Sequence, residues 1–206
     1  MVFSKGKGKF LHIGSGDKIL EGWVNVDRKK LPGVDVVADV TDGLNFTDVQ
    51  AVYAEHFLEH LPIDAALRFL QQVHRALAPD GWLRLSTPNL DWVWKTHYQL
   101  QTTIKENQLR ALVLNRAFRA WGHQFLWNAD LLKEALICCG FDRIESQRYG
   151  QSRHSFFRGI ERHETYDDSP EFPHVIIFDA AKGQERPDRL ADLQAVIQEQ
   201  FLIHLE

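Results

Sequence analysis

Residues 10–27 read FLHIGSGDKILEGWVNVD, and this stretch decides the fold. Phe10-Leu11-His12-Ile13 is an apolar run long enough for a short buried strand, and it stops at Gly14-Ser15-Gly16. A second apolar/polar segment, Trp23-Val24-Asn25-Val26, ends on Asp27. A strand, a glycine turn and a second strand tipped with a carboxylate form the layout of a nucleoside-binding crevice. Glycine lets backbone approach a ligand closely because it carries no Cβ, and an acid at the next strand tip can accept hydrogen bonds from ribose hydroxyls.

Working outward, the chain alternates strand and helix. Leu31-Pro32-Gly33 is a turn signal. Residues 34–39 read as a third strand ending in Asp39, and Ala51–Ala54 as a fourth running into Glu55-His56-Phe57-Leu58-Glu59-His60-Leu61-Pro62. Asp64 begins a helix through Ala78 with Ala66, Leu70, Val73 and Leu77 as its apolar stripe. Pro79-Asp80-Gly81 is expected to stop it, and Trp82–Pro88 reads as a fifth strand. Between Gly16 and Trp23 there is room for one or two helical turns at most, whereas a normal crossover takes about a dozen residues. The first helix is therefore expected to be stunted or replaced by a loop.

The motifs resemble those of class I S-adenosylmethionine-dependent methyltransferases, in particular a bacterial branch with a shortened first crossover. The resemblance runs from about Phe10 to Lys182. It rests on the glycine turn, on Asp27, on Glu59-His60-Leu61 after strand four, and on Leu77-Ala78-Pro79-Asp80-Gly81, with Ala78 and Asp80 as departures. It implies a Rossmann-like α/β fold: a mostly parallel seven-stranded sheet with one antiparallel strand, helices on both faces and a small helical cap. The alternation of elements, closed by two successive strands, points the same way.

A 206-residue chain suits one domain, and a hydrophobic fraction of 44% is ordinary for a globular protein. The methyltransferase domain is placed at residues 1–186, with a cap insertion at about 91–127 and a covering loop at about 149–173. Leu109, Leu112, Val113 and Phe118 are expected to line the inner side of the cap. Asn128 reads as the N-cap of a helix closed by Gly140. Phe141–Arg148 and His174–Ala180 read as the last two strands. An amphipathic helix over 187–206 should pack on its own domain, the alternative being a second copy in a homodimer.

A net charge of −4 gives no electrostatic footprint for nucleic acid, and Lys5, Lys7 and Lys9 read as a solvated arm. The two adjacent cysteines, Cys138 and Cys139, exclude a disulfide scaffold and read as core thiols in a reducing compartment. No signal segment and no apolar run of membrane-spanning length is present, so membrane insertion is not expected and the location reads as cytoplasmic.

S-adenosylmethionine is the expected cofactor. Gly14, Ser15 and Gly16 should approach its methionine end, Asp27 its ribose, and Asp39 or the Val40 amide its adenine; Glu55 joins them at the rim of strand ends. A nicotinamide cofactor is disfavoured because Ile19 stands where the third glycine of G-x-G-x-x-G belongs and Asp27 arrives too early. The expected acceptor is a small molecule or a glycan-linked group; a non-catalytic binding role is the alternative. Where the acceptor arrives protonated, His56 or His123 is the candidate base. His154 and His163 also fall near the rim, while His60 is expected to face the next helix. Trp92, Trp94, Trp121 and Trp127 could stack on a ring or sit in the core. His56 and His60 are spaced i, i+4, yet the order differs from H-E-x-x-H and no third ligand is evident, so no metal is expected.

Overall fold

The computed structural model describes residues 10–97, 103–163 and 172–205; the basic arm at Lys5, Lys7 and Lys9, part of the cap and part of the covering loop lie outside them. The seven strands are β1 (Phe10–Ile13), β2 (Val24–Asp27), β3 (Val36–Val37), β4 (Val49–Glu55), β5 (Leu77–Pro88), β6 (Phe141–Ser146) and β7 (Val175–Lys182). They form one sheet in the order β3-β2-β1-β4-β5-β7-β6. Pairings from β3 to β5 are parallel, and β7 runs antiparallel to both β5 and β6. The strand order reverses between β1 and β4, which opens a crevice at their carboxyl ends.

Among the described residues the α-helices are α1 (Ile63–Ala76), α2 (Leu90–His97), α3 (Ile104–Arg119), α4 (Ala129–Cys138) and α5 (Pro187–Gln200). The apolar stripe of α1 forms as its spacing requires, but the helix ends at Ala76 and β5 begins at Leu77. Pro79-Asp80-Gly81 therefore lies inside a long strand instead of ending a helix. The pairing register with β4 shifts between Val49 and Ala51 to accommodate it. A Cβ at Gly81 would sit 2.8 Å from the Val49 carbonyl oxygen, so only glycine passes there. Asn128 caps α4 by accepting from the Leu131 amide, and Gly140 follows it at φ +99°.

Side chains alternate across the sheet, and the two faces are covered differently. Leu11, Ile13, Val52, Ala54, Leu83 and Leu85 point to one face, where α1, α4 and α5 bury Leu70, Leu136, Leu190 and Ile197 against them. The last helix thus packs on its own chain, held also by Arg189, which donates twice to Glu134 at 2.9 Å. Both cysteines are buried on this side, and burial pushes the Cys139 thiol up to about 12. Among the described residues, no α-helix contributes to the buried cluster of the other face. Tyr53 and Trp82 are covered there by Leu20 and Trp23 of the first crossover and by Phe156, Phe157 and Ile160 of the covering loop. The sheet, its strand directions and the helices around it are those expected, while the cover of this one cluster is loop in place of an α-helix. The first crossover is too short to make one.

Candidate active site

The glycine bend follows from the β1–β2 pairing. Gly14 and Ser15 both donate to the Val26 carbonyl, at 2.9 and 3.1 Å, and Gly16 donates to Asp27 Oδ2 at 2.9 Å. The other Asp27 oxygen accepts from the Lys29 amide at 2.8 Å. The acid at the tip of β2 is thus fastened directly to the bend after β1. Gly14 and Gly16 adopt φ of +67° and +53°, a region that costs other residues about 1–2 kcal/mol. A Cβ on Gly14 would strike the Phe57 ring at 2.5 Å, whereas one on Gly16 would meet nothing within 4 Å. Ser15 Oγ is buried and has no hydrogen-bond partner among the described residues. A left-handed bend with open space above Gly16, an orphaned hydroxyl and a carboxylate at its edge fits the hydroxyl-rich, zwitterionic cofactor expected from the sequence.

Asn25 makes the short crossover possible. Its amide nitrogen donates to the carbonyls of Leu20 and Trp23 and to Asp35, and its oxygen accepts from the Leu20 amide at 2.9 Å. Farther along the rim, Asp39 is exposed and accepts from the amide and hydroxyl of Thr41. Those two bonds hold its carboxyl below the usual range. The Val40 side chain is in the core, which leaves its backbone as the part able to meet a ligand.

Glu55, at the end of β4, is nearly buried and is engaged by the covering loop. It accepts from the amides of Arg162 and His163 and from His163 Nδ1 at 3.2 Å. Burial alone would raise its carboxyl; the bonds from His163 and the two amides outweigh it, and the group is held below its ordinary value. The His163 imidazole is correspondingly raised by Glu55. In this arrangement Glu55 anchors the loop over the crevice.

Beyond Glu55 the chain turns through His56 at φ +47°, with its amide bonded to the Ser86 carbonyl at 2.9 Å. A non-glycine residue held in this region at a site marks backbone strain imposed by its surroundings. Residues 58–60 make one 3-10 turn. Its Glu59 carbonyl accepts from the amides of Gln124 and Phe125, which docks His123 beside His60 with ring centroids 5.3 Å apart. The Glu59 side chain, fully buried, accepts from His56 Nδ1 at 3.1 Å and from Thr87 Oγ1 at 3.0 Å. His123 Nδ1 donates to the Ala117 carbonyl at 2.8 Å. Because the partners can only accept, both His56 and His123 carry hydrogen on Nδ1, which leaves Nε2 as the basic atom.

These residues line a cavity of about 550 Å³ across the ends of β4 and β5. Among the described residues, five histidines face it: His56, His60, His123, His163 and His174. Trp92 and Trp121 of the cap line it as well, with Arg116 and Val113 of α3. The glycine bend and Asp27 are not in its lining. Phe57 lies against Gly14, one residue from His56, and so connects the bend with the cavity.

Several expectations change here. His60 belongs to the cavity instead of facing the next helix. His154 lies away from it, stacked between Trp82 and Phe156 on the loop-covered face. Trp127 is core and Trp94 is exposed. Of the four residues expected to line the cap, Val113 does so, while Leu109, Leu112 and Phe118 are exposed. Residues that sequence reasoning passed over are Glu59, Asn25 and Arg84. Arg84 had a visible signal, a cation between Leu83 and Leu85 in a central strand, because a buried charge must be paired. Glu59 lay in view beside His60, but only the fold shows that it holds His56 and Thr87.

With this geometry in hand, a family model described as a methyltransferase domain matches residues 3–146. The chain belongs to this family, the class I S-adenosylmethionine-dependent methyltransferases. No curated protein matches it. Among solved structures, a methyltransferase from Thermotoga maritima, described as a possible histamine N-methyltransferase, aligns with TM-score 0.54 at 14% identity over 87% of this chain and 84% of that one. One from Archaeoglobus fulgidus aligns with TM-score 0.53 at 16% identity, covering 84% and 85% of the two chains. The 1,6-didemethyltoxoflavin-N1-methyltransferase of Burkholderia thailandensis, solved with its 1,6-didemethyltoxoflavin and S-adenosylhomocysteine, aligns with TM-score 0.52 at 18% identity, covering 85% and 71%. At these identities the likeness establishes the fold.

Proposed function

We propose that the protein transfers the methyl group of S-adenosylmethionine to a small-molecule or glycan-linked acceptor held in the histidine-lined cavity. The observation that carries this reading is the direct bond from Gly16 to Asp27 at the switch point of the sheet, with open space over Gly16. When bound, S-adenosylmethionine supplies an electrophilic methyl on a sulfonium. Asp27 has lone pairs left on both oxygens for ribose hydroxyls, and charge-assisted bonds of this kind are about twice as strong as neutral ones. Ser15 Oγ and the open space over the Gly16 backbone are what the bend offers the methionine end. Asp39 and the Val40 backbone are the groups for adenine, and Glu55 holds the loop closed beside them.

The acceptor side follows from the cavity. A volume of about 550 Å³ suits a ligand of one or two rings. Trp92 and Trp121 offer faces for stacking; Arg116 and the histidines offer polar contacts. Methyl transfer is an in-line displacement, so placing the nucleophile contributes much of the acceleration. Where that nucleophile carries a proton, Nε2 of His56 or His123 is the atom to take it, with Nδ1 committed to Glu59 or to the Ala117 carbonyl. A small-molecule acceptor is also what the Burkholderia relative holds.

Titration calorimetry with S-adenosylmethionine and S-adenosylhomocysteine tests the cofactor half. Asp27→Ala is expected to weaken binding about 10- to 100-fold, the loss of a charged hydrogen-bonding group. Wild-type protein that binds neither compound, or a variant that binds equally well, overturns the reading. Transfer of labelled methyl into fractionated small molecules and glycans, abolished in His56→Ala, tests the acceptor half.

A further inference from the structure

We propose that Glu59, His60 and His123 form a binding site for a divalent first-row transition metal, with zinc as the natural fit. One Glu59 oxygen and one nitrogen from each imidazole lie within 4.8 Å of one another. His60 and His123 are 63 residues apart in sequence and meet because Gln124 and Phe125 donate to the Glu59 carbonyl. The set differs from the His56 and His60 pair that local spacing suggests: His56 is a partner of Glu59, and His123 takes its place beside His60.

The surroundings are those of a metal site. Two imidazoles and a carboxylate are the donor set of zinc sites that keep further positions open. Ligands at about 2.0–2.1 Å in tetrahedral array stand about 3.4 Å apart. The three side chains would therefore close by about an ångström on the ion, and both histidines are only half-buried. Outer partners are already in place. His123 is fixed by the Ala117 carbonyl in the tautomer that leaves Nε2 unprotonated, and Glu59 is oriented by His56 and Thr87. Such contacts orient ligands in metal sites. Among the described residues none hydrogen-bonds the His60 imidazole, so one half-buried ring lacks a partner that an ion would supply. All three residues line the acceptor cavity, so the open positions of the ion would be reached by water or by an oxygen or nitrogen of the acceptor. The inference does not depend on which molecule is methylated; with the ion bound, His123 Nε2 is committed to it and His56 Nε2 is the atom left to take a proton.

The test is zinc titration of chelator-stripped full-length protein by calorimetry, with cobalt as a spectroscopic probe. One zinc per chain, bound at micromolar Kd or tighter, is expected, weakened about 100-fold or more in His60→Ala/His123→Ala and unchanged in His204→Ala. The cobalt protein should show the visible bands of a four- or five-coordinate ion. Equal zinc affinity in the double variant, or no binding by the wild type, overturns the proposal. Should the double variant fail to fold, X-ray absorption of the zinc-loaded wild type decides: two imidazoles and oxygen support the site, and sulfur or a single imidazole overturns it. S-adenosylmethionine titration of the same sample is a separate readout, so failure here leaves the methyltransferase reading standing.

Discussion

The two faces of the sheet are built on opposite principles. The helix-covered face is a continuous apolar layer, with Phe69 and Leu70 of α1 fully buried against Val52, Ala54 and Leu83. The loop-covered face holds a polar row in register across six adjacent strands: Asn25, His12, Tyr53, Arg84, Asp179 and Glu145. Arg84 is its centre. It donates to Glu161 at 2.7 Å and to Asp179 at 2.7 Å, all three side chains being at most 1% exposed. Glu161 in turn accepts from the Gly150 amide, and Asp179 from Ser152. Hydrophobic burial is non-directional and will hold any apolar cover. Ion pairs with fixed partners hold one particular loop in one particular place, and that loop carries Arg162 and His163 to the crevice. The difference teaches that the functional rim is positioned by buried polar contacts more than by apolar area.

The largest expected effect sets the two faces against each other. Arg84→Met leaves Glu161 and Asp179 buried without their cation, and such a change should cost about 3–5 kcal/mol. Phe69→Ala on the other face should cost about the same through its cavity. Denaturant unfolding checks both, and limited proteolysis separates them. Cleavage within residues 150–163 should accelerate in Arg84→Met beyond what global destabilisation explains, and should not in Phe69→Ala. Equal acceleration in both would erase the distinction.

A smaller effect compares the two glycines of the bend. Gly14→Ala combines a left-handed backbone with a contact at 2.5 Å to Phe57, and overpacking of this sort costs about 1–3 kcal/mol. Gly16→Ala has space for its methyl and should cost about 1 kcal/mol from the backbone alone. It should nonetheless weaken S-adenosylmethionine more than stability, because the methyl occupies the space left for the ligand. Thermal melts with and without the cofactor give both numbers.

The smallest effect concerns pH. The raised His163 contributes loop closure in full below its ordinary 6.5, and that share fades as pH rises through its higher folded value. The lowered Glu55 contributes above its ordinary 4.5, and that share fades as pH falls through its depressed value. The latch is therefore tightest between 4.5 and 6.5 and loosens on the alkaline side. Hydrogen exchange at the Arg162 and His163 amides, corrected for intrinsic rates, should show this, and His163→Gln should flatten the alkaline limb.

The helix-covered face was legible in the sequence because periodicity reports apolar burial directly. The stripe of α1, the cap at Asn128 and the glycine bend all rest on local spacing, and all formed. Pro79-Asp80-Gly81 does interrupt the regular pairing, but inside β5: Val49 pairs with Leu77 and Ala51 with Trp82, which leaves residues 78–81 in the register break. The second face was not legible. Its cover comes from residues 150–160, whose partners on β4, β5 and β7 lie far away in sequence. His60 and His123 meet for the same reason, through a carbonyl that accepts from a distant segment. Contacts between remote segments leave no periodic trace in one sequence.

The alignment of the polar row carries a consequence for assembly of the sheet. Sliding β5 by a single position would turn the Arg84 guanidinium into the aliphatic layer beneath α1, and sliding β7 would do the same to the Asp179 carboxylate. Mispaired forms of this sheet are thus penalised electrostatically, so the row acts as a proofreading device that admits one way of laying the central strands side by side.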